Sequence, residues 1–124
     1  MTNQKIIITN KKIPLHQIKS LCEQWFGEMV KVVVDIERRV IGIGGELHAD
    51  AEELLIQDGS NQKNIWGANL YPKFVPKDRI EYTALINVRP RQNNPSMEII
   101  DDRIKIKLKE VIETLVMGPD EKLV

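Results

Sequence analysis

The chain has a single cysteine, Cys22, in 124 residues, so no intramolecular disulfide can form. A fold of this length does not need one, because a chain this size buries about two-thirds of its unfolded surface. Aromatic residues make up only 5% and histidines number two. Nor is there an excess of either charge: eighteen basic residues face eighteen acidic ones. That balance argues against a protein built to grip a phosphate backbone, which carries a basic surplus. Long hydrophobic runs are missing as well. The apolar stretch in "MTNQKIIITNKK" is three residues, too short for a signal-peptide core or a membrane span, so the expected setting is the cytoplasm.

What is present reads as one domain, residues 1–124, with 119–124 as a frayed tail. Lys5 to Thr9, "KIIIT", has the β-branched composition of a buried strand. Pro14 suits the first turn of a helix in which Leu15, Ile18, Cys22 and Trp25 share one face, with Gly27 as the stop. On that face Cys22 and Trp25 are core residues, not redox groups or ligands. Valine and isoleucine dominate Val30 to Ile43, which favours two strands turning near Glu37 and Arg38; one long helix is the alternative. Later, "NIWGANLYP" and "RIEYTALINVRP" read as a hairpin in which Tyr82, Ala84, Ile86 and Val88 share a face, with Asn87 and Arg89 on the other. The clearest helix carries Ile100, Ile104, Leu108, Val111, Ile112 and Leu115 in one stripe and ends before Gly118-Pro119. The fold class is therefore α+β: a mostly antiparallel sheet of about four to five strands, with three helices on one face or at its ends, as a single pair of layers.

Chemistry concentrates in "GGELHADAE", Gly44 to Glu52. Gly44-Gly45 is a hinge suited to positive φ. Asp50 followed by Glu53 has capping-box spacing, which starts a helix over 50–58 with Asp50 as its N-cap. A strand is the alternative, because Glu46, His48, Asp50 and Glu52 alternate with apolar residues.

At this point the residues resemble a known family. "GGELHAD", "DGS", "WGAN" and "INVRP", linked in this order, are similar to short prokaryotic proteins catalogued as a domain of unknown function. The likeness runs from "KIIIT" to the last helix. It implies a stand-alone cytoplasmic domain and brings no assigned activity, cofactor or catalytic residue. Members of that family have glycine where this chain has Arg39, a residue that would suit a tight turn.

Three functions follow from the residues. The leading one is a binding or protein-interaction module without catalysis, with a homodimer or another protein as partner. In a second, a hydrolase uses Glu46, His48 and Asp50, as a metal site or with His48 as general base, while Arg89 and Arg91 hold an anionic group. No HxxxH or CxxC spacing supports the metal version. "GIGG" lacks the spacing of a nucleotide loop, and no cofactor is implied. In the third, nucleic acid meets the Arg89–Asn93 loop, with Asn87 beside it and Lys105, Lys107 and Lys109 on the last helix. The even charge balance weighs against that partner. His16, beside Pro14, takes no role.

Overall fold

The computed structural model describes residues 6–123. Five strands form one antiparallel sheet: β1 (Ile7–Thr9), β2 (Val30–Asp35), β3 (Val40–Ile43), β4 (Ile65–Leu70) and β5 (Ile80–Glu81), in the order β1-β3-β2-β4-β5. Three helices accompany it: α1 (Leu15–Trp25), α2 (His48–Gln57) and α3 (Asp102–Leu115). The α+β class, the antiparallel sheet and the three helices agree with the sequence reading. No helix among the described residues is long and apolar enough to cross a membrane.

The valine-rich run is a hairpin. β2 is the middle strand, with Val34 opposite Ile41 on β3 and Trp66 on β4. Its valines are needed on both faces. Val32 and Val34 join the main core with Ile18, Leu108 and Ile112 of α1 and α3, while Val33 joins a second cluster with Ala51 and Leu55 of α2. The sheet is therefore covered on both faces, α1 and α3 on one and α2 on the other. The expected single pair of layers gains a third, partial layer. A strand buried on both sides reads as a continuous apolar run instead of an alternation, which is why this stretch was ambiguous.

The turn between β2 and β3 is organised by Asp35. Its Oδ1 accepts the N–H groups of Glu37 and Arg38 at 3.0 and 2.9 Å, and its carbonyl accepts from Arg39 N–H at 2.9 Å. Arg39 takes φ +56°, the left-handed conformation in which glycine carries no steric penalty.

Several expectations are corrected. β1 is a half-buried edge strand, not a buried one; Lys5 lies outside the described residues. α2 starts at His48, with Leu47 at the N-cap and no side-chain cap, so Asp50 is not the cap. Asp50 stands instead in the first turn, where its charge complements the helix dipole. The expected strand over Arg79 to Pro90 shrinks to Ile80–Glu81. Beyond it the chain breaks into short 3-10 turns at Leu85–Asn87 and Pro90–Gln92. Tyr82 packs on the main core and Ile86 on the second cluster, so they do not share a face. Ile100 precedes α3 and is exposed; Asp101 is that helix's cap, accepting the Arg103 N–H at 2.8 Å. The segment after α3 is tied down through Glu121. Buried Arg79 donates to the carbonyls of Phe74, Gly118 and Glu121, and Lys12 pairs with Glu121 at 3.2 Å.

Candidate functional site

Gly44 and Gly45, at φ +106° and +91°, carry the chain from the end of β3 to α2 across the second face of the sheet. Gly45 has Ile6 directly against it; a Cβ there would approach that side chain to 3.0 Å. This tight crossing places His48, the first residue of α2, over β4. His48 is only 8% exposed, and its Nε2 lies 2.8 Å from the Ala68 carbonyl. A carbonyl only accepts, so Nε2 carries the proton in this contact and Nδ1 is the lone-pair nitrogen of the neutral ring. Burial pushes the His48 pKa below its ordinary value. The Ala68 carbonyl opposes that shift, the Lys31 charge adds to it, and the Asn69 side chain opposes it.

Beside the ring is a cavity of about 320 Å³. Its walls are apolar: Met29 beside β2, Leu47 before α2, and Leu85, Ile86 and Met97 from the irregular segment after β5. Leu47 and Leu85 are 55% and 72% exposed at its mouth. The polar lining is confined to Lys31, His48, Asn69 and Thr83. The volume lies at the small end of the range for ligand pockets, and an apolar wall with a few convergent polar groups is their usual make-up. Asn69 donates through Nδ2 to Glu81 Oε1 at 2.8 Å, while its buried Oδ1 has no hydrogen-bond partner of sound geometry.

The loop that closes the cavity is held by two asparagines. Asn87 Oδ1 accepts the Gly67 N–H at 2.8 Å, and its Nδ2 donates to the Gly67 carbonyl at 2.9 Å. Asn94 Nδ2 donates to the carbonyls of Asn87, Ser96 and Glu98, and its Oδ1 accepts the Ile100 N–H. Gly67 must be glycine for this packing, since a Cβ would come within 2.7 Å of Ala84 and 3.2 Å of His48.

The four residues singled out in the sequence do not line one site. Glu46 is exposed. Asp50 borders a separate depression with Ile6 and Glu53. Arg89 is largely buried and fully engaged. Its Nε donates to the Ile86 carbonyl, one terminal nitrogen to the Gln62 carbonyl, and the other pairs with Glu52 at 3.2 Å. Its guanidinium also covers the Trp66 ring at 4.7 Å. Arg89 pairs with Glu52 and Arg38 with Asp58. In the loop proposed for nucleic acid, Asn87 is buried and Gln92 donates to the Lys63 carbonyl. Among the described residues, no three His, Cys, Asp or Glu side chains are grouped to hold a metal.

Sequence reasoning found His48 and missed its neighbours. Lys31 and Asn69 are polar residues inside the largely apolar runs of β2 and β4, and that interruption was the available signal; Thr83 lies just past β5. Leu85 and Met97 gave none, since only the folded loop brings them to the cavity.

Residues 6–115 match a family model described as protein of unknown function (DUF5674), and the chain belongs to that family. Neither a curated protein nor a solved structure matches it.

Proposed function

We propose that this protein is a binding module without catalysis, and that its ligand is a small molecule seated in the cavity beside His48. The cavity carries this reading: it is concave, apolar-walled and opens beside exposed Leu47 and Leu85, with a few polar side chains grouped at one part of its lining. His48 fixes one wall through its bond to Ala68, and its neutral ring is a hydrogen-bonding group for a ligand. The family resemblance supports the same place. "GGELHAD" supplies Leu47 and His48, "WGAN" supplies Ala68 and Asn69, and "INVRP" supplies Ile86 and Asn87, which clasps Gly67. Three separated runs of sequence thus meet around one cavity.

The hydrolase reading is weaker by the same geometry. In that reading Glu46 or Asp50 orients His48, whereas the ring's partner is the Ala68 carbonyl, Glu46 is exposed and Asp50 borders a separate depression. Arg89, meant to hold an anion, already has a partner for Nε and for both terminal nitrogens. Cytoplasmic residence and self-association go with the binding reading as expectations.

A ligand-observed NMR screen of small fragments, with hits mapped on the amide and methionine-methyl spectra, tests the proposal. Hits should perturb His48, Ala49, Ile86 and Met97 and be lost in Ala49→Phe, whose ring would occupy the mouth. Hits mapping to another surface, or hits indifferent to Ala49→Phe, would refute the reading.

A further inference from the structure

We infer that the cavity beside His48 selects a small apolar anion, such as an aromatic or branched carboxylate, with its charged head at Lys31. The inference rests on the binding reading above and names the class of ligand. Its ground is the electrostatic make-up of the cavity. Among the described residues, Lys31 is the only charged residue in the lining apart from the titratable His48, and no Asp or Glu belongs to it. Among the described residues no carboxylate pairs with Lys31; its ammonium lies 5.3 Å from the centre of the Phe26 ring. A lysine that is half-buried at an apolar mouth without a counter-ion is a place where an anion gains more than it would in open water.

A second element has the same polarity. His48 and Ala49, the first two residues of α2, both line the cavity, and no side chain caps that turn. The positive end of the helix dipole therefore lies at the wall. Asp50, in the same turn, offsets part of that dipole from the side of the separate depression near Ile6. Glu81 is the acid in the same cross-strand row as Lys31. Lys31 stands opposite Asn69, and Asn69 opposite Glu81, so the three form one row across β2, β4 and β5. Glu81 accepts from Asn69 Nδ2 at 2.8 Å and from the Tyr71 hydroxyl at 3.4 Å, and it forms no ion pair with Lys31, which lines the cavity. Apolar walls at one end and a cation at the other describe an amphiphilic anion. The volume, about 320 Å³, limits it to one or two rings or a short branched chain.

The test uses a matched pair of probes, 2-naphthoate and 2-naphthamide, which share an apolar body and differ in charge. Both are titrated into the full chain and into Lys31→Met, which keeps the apolar stem, with amide spectra confirming that the variant folds. The expected result is that naphthoate binds about tenfold more tightly than the amide, a difference of roughly one charge-assisted contact, and that Lys31→Met abolishes the difference. Equal affinities, or a difference that survives Lys31→Met, would overturn the anion inference and leave the binding reading intact. Failure of both probes at millimolar concentration, beside fragment hits that do map to the cavity, would also overturn it. Failure of both probes together with an empty fragment screen would remove the binding reading itself.

Discussion

Asn87 forms two hydrogen bonds with the backbone of Gly67, accepting its N–H at 2.8 Å and donating to its carbonyl at 2.9 Å. A side-chain amide here takes the place of a backbone partner in the ladder. β5 pairs with β4 only at Asn69 and Leu70, so Gly67 would otherwise have an unpaired N–H and carbonyl inside the protein. Asn87 thereby fixes the loop that closes the cavity, and its Nδ2 also reaches the Met97 carbonyl at 3.1 Å. Asn87→Ala should destabilise the fold by about 2–4 kcal/mol, since buried partners left unpaired cost about 1–3 kcal/mol each and the effects overlap. Urea denaturation followed by tryptophan fluorescence reads this directly. A loss below about 0.5 kcal/mol would mean the clasp is not a structural element.

Arg39 sits at φ +56° at the end of the β2–β3 turn. A non-glycine residue pays a steric penalty there of about 1 kcal/mol. Its ion pair with Glu110, 3.7 Å long and exposed on both sides, offsets little of that. Arg39→Gly should therefore stabilise the protein, by up to about 1 kcal/mol after the greater freedom of glycine in the unfolded chain is included. A thermal melt of the variant should show a higher midpoint. An unchanged or lower midpoint would show that the side chain contributes more than its geometry indicates.

Much of this fold can be read from the residues, and the parts that cannot have identifiable causes. α1 and α3 announce themselves because each buries one stripe against a single face of the sheet, so the period of 3.6 is clean in Ile18 and Cys22 and in Leu108, Val111, Ile112 and Leu115. β2 hides its period because both of its faces are covered. The stretch after β5 misleads for the opposite reason: its alternation is real, yet Asn87 and Asn94 divert the backbone into turns using side-chain hydrogen bonds that no periodicity encodes. The cavity is legible only at His48. Its polar neighbours come from β2, β4 and the segment after β5, and its apolar walls depend on where the asparagines set the loop.

Arg89 pairs with Glu52 where both side chains are nearly buried, 10% and 13% exposed. Burial lowers the pKa of the guanidinium, and the Glu52 carboxylate opposes that shift. Removing one partner strands a charge in a poorly solvated place, so Glu52→Ala and Arg89→Ala should each cost about 3–5 kcal/mol. Arg89→Lys should also destabilise, by about 2 kcal/mol, because a lysine cannot satisfy the Ile86 and Gln62 carbonyls and Glu52 together. Chemical denaturation of the three variants checks the order. A neutral Arg89→Lys would show that the forked geometry is dispensable and that charge alone matters.

His48 supplies the pH dependence. Its pKa in the folded protein is lowered, first by burial, against about 6.5 in an unfolded chain. Below that value the unfolded chain takes up a proton that the folded protein resists. Stability from this residue is therefore fully present above about pH 6.5 and is lost as pH falls toward the folded pKa, after which the loss levels off. Carboxylates that titrate lower down do not produce this slope. His48→Gln keeps a donor for the Ala68 carbonyl and cannot titrate, so it should flatten the stability profile between about pH 6.5 and pH 5 while leaving the fold in place. Melting temperatures of the two proteins across that interval, with an NMR titration of the ring, make the comparison. A His48 resonance that titrates at or above 6.5, or a slope unchanged in His48→Gln, would show that the ring is more open to solvent than its place beneath α2 implies.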